Sequence, residues 1–184
     1  DALGRGKSAH DPLCEPCTGC GACINACPAN AISMVPDEEG FHYPIINEAV
    51  CTQCGLCEKI CTGLPGYRML RAPLTAYAAV NRNAGELLAG SSGGAFGALA
   101  HHVLSLGGVV AGCVFDEHMS ACHVVAETAE LMQAMHGSKY VQSDTGLVMR
   151  AVKDHLERGR TVLFTGTPCQ VAGLWAFLGK DYQG

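Results

Sequence analysis

The stretch that decides the fold is CTGCGACINACP, residues 17–28, in which cysteines stand at positions 17, 20, 23 and 27. The same spacing begins again 34 residues later in CTQCGLCEKICT, residues 51–62. Thr62 stands where the first unit has Pro28, a departure that bears only on the local turn. The chain therefore contains an internal repeat of two cysteine-rich units.

The cysteine spacing predicts two 4Fe–4S clusters. Cysteines at i, i+3 and i+6 can wrap three thiolates round one cubane, and the fourth, a helical turn onward, points to the other cluster, as in the bacterial ferredoxin run. The ligation is thus expected to cross between the units. We assign the first cluster to Cys17, Cys20, Cys23 and Cys61, and the second cluster to Cys51, Cys54, Cys57 and Cys27.

Small residues surround these thiols. Gly19, Gly21 and Gly55 allow the backbone to bring N–H groups close to the sulfurs, and such hydrogen bonds help to set the reduction potential. Between the units, Ile32 to Ile46 reads as two short strands joined by a turn at Pro36–Gly40.

The cysteines admit two other interpretations. A pair of structural zinc sites needs four ligands each, but zinc motifs usually separate two CxxC knuckles by a longer insert. Cys14 continues the spacing backward, but counting from it would leave the Cys27-Pro28 pair unused, so it is interpreted as a bystander thiol. Nine of the twelve cysteines lie close together, which favours metal over a disulfide framework.

Composition narrows the class of protein. Apolar residues make up 48% and charged residues 16%, enough for a packed core. The net charge of −5 argues against nucleic-acid binding through a basic surface. No apolar run approaches the ~18 residues of a membrane span, and no signal-peptide pattern opens the chain, so we expect a cytoplasmic protein without membrane insertion. Since the chain starts at Asp1 and stops soon after an apolar segment, we expect a fragment of a longer protein.

The chain divides into three parts by pattern. Residues 1–11 read as a tail, 12–72 as an α+β ferredoxin-like two-cluster module, and 73–184 as an α/β domain, incomplete at its C-terminus, whose strand order the sequence does not give. In the amphipathic helix at 144–158, Arg150 is assigned to the solvent side. The α/β elements predicted are strands at Leu74–Val80, Gly108–Phe115, Cys122–Ala126 and Thr161–Phe164 (the last covered on both faces) and helices at Ser92–Leu106, Thr128–Met135, Asp144–Arg158 and Pro168–Leu178.

Two segments of this domain resemble ligand-binding turns. SSGGA, residues 91–95, opens a predicted helix and suits either an anion cradle or a hinge with an ordinary N-cap. TGTPCQ, residues 165–170, is a strand-to-helix turn of the kind where α/β folds place ligands, or a plain capped helix with a semi-buried thiol. Cys113 and Cys122 are interpreted as packing residues, and His101, His118, His123 and His136 as histidines without a metal partner, His101 being solvated.

Four blocks together resemble one family: SSGGAFGALA (91–100), GGVVAGCVFD (107–116), GSKYVQSD (137–144) and GRTVLFTGTPCQVAGL (159–174). In this order they are similar to the coenzyme F-420 (deazaflavin) hydrogenase/dehydrogenase β-subunit family, in its version with an N-terminal two-cluster ferredoxin domain. The resemblance covers about residues 12–184. It implies an iron–sulfur flavoprotein that binds FAD without a Rossmann fingerprint.

The resemblance also implies site residues and a role. Electrons would pass between FAD, an organic hydride carrier such as a deazaflavin, and a redox partner through the two clusters. The alternative is a non-catalytic ferredoxin-type carrier or docking subunit without flavin. No catalytic residue is assigned, and Cys169 ligates an additional cluster in some relatives. The FAD candidates carried over by block are Ser92, Gly93, Gly94, Lys139, Gln142, Ser143, Thr167, Pro168, Cys169 and Gln170.

Overall fold

The structure is a computed structural model that describes residues 17–64, Thr75 and 77–183. The predicted tail, Cys14 and the boundary at 72/73 lie outside the described residues. The elements, in chain order, are α1 (Ala22–Ala26), β1 (Ile32–Pro36), β2 (His42–Ile46), α2 (Leu56–Lys59), α3 (Ala84–Ala89), α4 (Ala95–Ser105), β3 (Val109–Phe115), β4 (Ala121–Ala126), α5 (Ala129–Gln133), α6 (Val148–Glu157), β5 (Val162–Phe164) and α7 (Pro168–Leu178).

A β-hairpin separates the two cysteine-rich units. Strands β1 and β2 pair antiparallel, with Ile32 opposite Ile46. Asp37 closes the turn because its Oδ1 accepts hydrogen bonds from the backbone N–H groups of Glu39 and Phe41, at 2.9 and 2.8 Å. Gly40 supplies the positive φ of 88° that the turn requires. The predicted pair of strands around 36–40 is confirmed.

The second part of the chain contains a three-stranded sheet in the order β4-β3-β5. Strands β3 and β4 pair antiparallel, whereas β3 and β5 pair parallel. Strand β3 is the most buried of the three because it lies between the other two. The described fold is mixed α and β with small sheets, which agrees with the predicted class at this coarse level.

The hydrophobic core that lies nearest the cysteines includes residues from both parts of the chain. Ala22 of α1 is 1% exposed and packs in one cluster with Met149 of α6 and Leu174 of α7. A second cluster, formed by Ala100, Val110, Val114, Ala126, Met132 and Met135, fills the space between α4, α5 and the sheet. Helix α1 is therefore held in place by the helices of the α/β part.

Several predicted elements differ from the structure. Residues 77–80 of the strand predicted at 74–80 are exposed coil. Helix α4 starts at Ala95 rather than Ser92, because Ser92 has φ 55° and Gly94 has φ 67°, which no α-helix admits. Strand β5 is half-buried rather than covered on both faces. Short elements α1, α2 and α3 were not predicted, since four to six residues leave little periodicity to detect.

Two predictions on helix surfaces are also wrong. Helix α6 begins at Val148 rather than at 144, and Arg150 is half-buried against α1 instead of facing solvent. The reason is that α1 covers this side of α6. His101 is not simply solvated, because its Nε2 lies 3.0 Å from Oε1 of Glu86. The other oxygen of Glu86 lies 3.6 Å from Nε2 of His136, whose side chain is 6% exposed.

No helix in the described ranges of the chain has the length and apolar character needed to cross a bilayer.

Candidate metal centre

Each cysteine-rich unit forms a loop that ends in a short helix. Gly21 is the N-cap of α1 with φ 77°, and Gly55 is the N-cap of α2 with φ 70°. In this left-handed conformation, which suits glycine, the chain turns sharply between the second and third cysteine of each unit. Gly19, also at positive φ, points its N–H at Sγ of Cys17 at 3.5 Å. The two loops are thus repeats in conformation as well as in sequence.

The first set of thiols lines one cavity. Cys17, Cys20 and Cys23 from the first unit and Cys61 from the second border the same opening, which Cys57 also reaches. Burial raises the pKa of Cys20, and the neighbouring thiols of Cys169, Cys17 and Cys61 raise it further. Burial, helped by Cys20 and Cys17, raises the pKa of Cys23 to about 12. Such thiols become thiolates when a metal binds them, so this donor set fits an iron–sulfur cluster.

The second set is arranged differently. Burial raises the pKa of Cys57, and the charges of Glu58 and Cys27 raise it further. Cys27 itself is buried, and its sulfur accepts a hydrogen bond from the N–H of Ala31 at 3.2 Å. Cys54 is exposed, and hydrogen bonds from Leu56 and Thr52 lower its pKa.

The alternative of structural zinc sites can be compared with the arrangement of the thiols. A tetrahedral zinc site brings four ligands within about 2.3 Å of one ion. Among the described residues, no three His, Cys, Asp or Glu side chains converge in a way that would hold a single metal ion. The cavity itself is bordered by four of the predicted cluster thiols, which is the number of thiolates that a 4Fe–4S cluster takes.

The two loops differ in what covers them. A Cβ at Gly19 would overlap Nε2 of Gln142, and a Cβ at Gly21 would overlap Oγ1 of Thr145. By contrast, a Cβ at Gly55 would meet nothing within 4 Å among the described residues. The α/β part therefore packs directly on the first loop and leaves the equivalent point of the second loop uncovered by any described residue.

Segment 142–145 makes specific contacts with the cluster module. The N–H of His42 donates to Oε1 of Gln142 at 2.6 Å, and Nε2 of Gln142 donates to the carbonyl of His42 at 3.2 Å. The Thr145 hydroxyl donates to the carbonyl of Cys20 at 3.4 Å. Ser143, between them, is buried and accepts a hydrogen bond from Nε2 of Gln170 at 2.9 Å.

Helix α7 also borders the first set of thiols. A Cβ at Gly173 would lie 3.1 Å from Sγ of Cys20, so the helix passes close to a predicted cluster ligand. Pro168 occupies the first turn, and the Thr167 N–H donates to Oε1 of Gln170 at 2.9 Å in a capping box. The Cys169 thiol lies 3.1 Å from the Thr167 hydroxyl.

The predicted FAD residues fall into two groups. Ser92, Gly93 and Gly94 form a turn next to the segment that carries Lys139, since the Ser138 N–H donates to the neighbouring Ser91 hydroxyl at 3.2 Å. Lys139 Nζ is engaged in hydrogen bonds to three backbone carbonyls that follow α5. The second group lies beside the first cluster site and comprises Gln142, Ser143, Thr167, Pro168, Cys169 and Gln170.

Cys113 connects the two groups. Burial raises the pKa of its thiol, while a hydrogen bond with Ser143 and the charge of Lys139 act to lower it. The packing role predicted for Cys113 fits its position in β3, but the thiol also forms a hydrogen bond with Ser143 and is influenced by the charge of Lys139. Whether these residues bind a flavin stays a prediction.

The cysteine-rich region is similar to a known domain family. Residues 16–63 match the 4Fe–4S dicluster domain. This part of the chain is an iron–sulfur module. The match supports two 4Fe–4S clusters, an electron-carrier role and a redox partner for the dicluster domain. It does not extend to the α/β part, for which the F-420 family resemblance remains a prediction. No curated protein matches the chain.

Sequence reasoning missed the residues that join the module to the α/β part. Asn25, Thr145 and Arg150 carry most of the hydrogen bonds across this contact. Asn25 lies between two cluster ligands, where the spacing motif admits any residue. A polar residue buried to 2% exposure gives no periodic signal, so only the structure shows what it contacts.

Proposed function

We propose that this chain is the iron–sulfur subunit of a flavin-dependent oxidoreductase, passing electrons between an FAD-linked organic hydride carrier and a redox partner protein. The observation that carries the proposal is the direct packing of the α/β part on the first cluster loop, through Gln142, Thr145 and Gly173.

The chain's residues would do different work at the two sites. Each cluster, when bound, supplies a centre that takes up and releases one electron at a time. At the first site, α7 and residues 142–145 exclude water and hold the ligand loop rigid. At the second site, Cys54 is exposed and residues 47–50 and 52–54 face solvent. We infer that the first site serves exchange with the α/β part and the second serves exchange with the partner.

The flavin would sit near the residues around Cys113. Ser143, which forms a hydrogen bond with this thiol, also accepts one from Gln170 at the capped start of α7. The charge of Lys139 acts on the same thiol, and the neighbouring Ser138 is bonded to Ser91, next to the turn at 92–94. A lysine ammonium and the N-terminus of an 11-residue helix both favour an anionic group such as a phosphate or a reduced flavin. This support rests on placement and on the family resemblance together.

A second candidate is an electron carrier without flavin, and one observation favours it. Three of the predicted FAD residues already form hydrogen bonds within the chain: Gln142, Gln170 and Lys139. If these contacts persist in the whole protein, the three side chains act as structural links between the parts and leave fewer donors for a cofactor.

Cofactor content separates the two candidates. The protein is purified anaerobically, iron is measured per chain, and flavin is measured in the supernatant after denaturation. The flavoprotein proposal expects about eight iron and about one flavin per chain. About eight iron without flavin selects the carrier. A folded protein that takes up no iron would refute both.

The crossed ligation has its own test with matched variants. Under crossed ligation, Cys17→Ala with Cys61→Ala removes two ligands of one cluster, and about four iron remain. Cys17→Ala with Cys27→Ala removes one ligand from each cluster, and iron falls toward zero. Ligation within each loop would reverse this order. Cys113→Ala, a thiol outside both sets, is the control and should keep about eight iron.

A further inference from the structure

Arg150 of α6 donates hydrogen bonds across the contact between the two parts to the C-terminal end of α1. Its Nε donates to the carbonyl of Asn25 at 2.7 Å, and Nη2 donates to the carbonyls of Ile24, at 3.1 Å, and of Cys27. Nη1 donates to Oδ1 of Asn30 at 2.8 Å. Four hydrogen bonds from the Arg150 guanidinium therefore end on the stretch from Ile24 to Asn30, which contains one predicted cluster ligand.

The contact is reciprocal. Oδ1 of Asn25 accepts a hydrogen bond from the backbone N–H of Arg150 at 3.1 Å, and Nδ2 of Asn25 donates to the carbonyl of Gly146 at 2.9 Å. Asn25 is 2% exposed. Buried, fully bonded polar groups of this kind fix one arrangement of the two backbones, because any shift leaves groups unpaired.

The charge of Arg150 is unusual on its helix. Nη2 of Arg158 lies 2.6 Å from Oδ2 of Asp154, and Nζ of Lys153 lies 3.8 Å from Oε1 of Glu157, so both basic residues have an acidic partner. Within the described residues, Arg150 has no carboxylate at salt-bridge distance, and its donors point at neutral carbonyl and amide oxygens. Among the described residues, this positive charge thus has no counter-ion, and it lies against the peptide of Cys27.

We propose that Arg150 is a positioning residue for the cluster held by Cys27 and the second loop, and that its charge raises the reduction potential of that cluster. The inference rests on the proposed electron-transfer function. The hydrogen bonds to the carbonyls of Ile24, Asn25 and Cys27 fix the backbone from which the Cys27 thiol reaches the other loop. Reduction adds a negative charge to the cluster, and a nearby guanidinium stabilises that charge, since net charge and surroundings set cluster potentials.

The test compares the iron-loaded wild-type chain with Arg150→Met, Arg150→Lys and Arg158→Met. Each cluster's midpoint is measured in an anaerobic redox titration followed by electron paramagnetic resonance, with iron per chain measured in parallel. In Arg150→Met, the ratio of reduced to oxidised cluster at a fixed potential should fall about tenfold for one cluster, which corresponds to about 59 mV. The other cluster should keep its midpoint.

The two remaining variants separate charge from packing. Arg150→Lys keeps the charge but not the planar fork, so its midpoint should stay within about twofold of wild type while the cluster is lost faster to a chelator. Arg158→Met removes the same residue type from the same helix and should change neither cluster.

Two results would overturn the inference: unchanged midpoints in an Arg150→Met protein with full iron, or the same tenfold shift in Arg150→Lys. If Arg150→Met does not load iron, a tenfold shift in Arg150→Lys still overturns the inference, and a midpoint within about twofold of wild type supports it. Wild-type protein without iron would instead refute the proposed function, so the two failures are distinguishable.

Discussion

Replacing Gly21 by alanine should weaken the contact between the cluster module and the α/β part. Two costs add at this position. Gly21 has φ 77°, and a residue with a Cβ in the left-handed region costs about 1–2 kcal/mol. The new Cβ would also overlap the Thr145 hydroxyl, and overpacking of this kind costs a further ~1–3 kcal/mol. We therefore expect a loss of about 2–5 kcal/mol in the free energy of unfolding.

Gly55 provides the matched control. It is the equivalent glycine of the second loop, with φ 70°, but a Cβ there meets nothing within 4 Å among the described residues. Gly55→Ala should therefore incur only the backbone cost of about 1–2 kcal/mol. The difference between the two variants measures the contact with Thr145 separately from the glycine conformation.

A second substitution should relieve the overlap. Thr145→Ala removes the hydroxyl and leaves the Thr145 Cβ 3.2 Å from the added carbon at Gly21, a tight distance that a small shift accommodates. The double variant should then be more stable than the sum of the single effects by about 1–3 kcal/mol. The assay is anaerobic urea unfolding of the iron-loaded chain, followed by circular dichroism and by cluster absorbance. Equal losses in Gly21→Ala and Gly55→Ala, or strict additivity with Thr145→Ala, would refute the reasoning.

Three further outcomes follow from single contacts. Gly173→Ala gains up to about 1 kcal/mol of helix propensity but places a Cβ 3.1 Å from Sγ of Cys20. Chelators should therefore remove iron from the variant faster than from wild type, although the iron-free variant is not less stable than the iron-free wild type. Gln142→Ala loses both hydrogen bonds to His42, so we expect a cost of about 1–3 kcal/mol and faster hydrogen exchange at the His42 amide; unchanged exchange would contradict the contact. Burial lowers the pKa of His123, so the unfolded chain takes up a proton first as pH falls below about 6.5. The unfolding free energy should then fall by up to about 1.4 kcal/mol per pH unit down to the lowered pKa, and urea titrations of His123→Gln should show a smaller fall.

Part of the site could be predicted from the sequence because it depends on local spacing. Cysteines three residues apart fix which thiols share a loop, and glycine at positions 21 and 55 fixes where each loop turns. The hairpin and helix α7 follow equally local signals, a turn at Pro36–Gly40 and a proline at the first helical position. These patterns act within about a dozen residues, and the structure reproduces them.

The chain's sequence by itself determined the dicluster module, the repeat and most strands and helices of the α/β part. Only the tertiary structure decided which surfaces meet. Gln142 and Arg150 look like ordinary polar residues in the sequence, yet they bind backbone groups 100 and 125 positions away. No periodic or spacing pattern encodes such a pair, because the contact depends on how α6 and α7 pack on α1, and that packing is the sum of many weak contacts across the whole core.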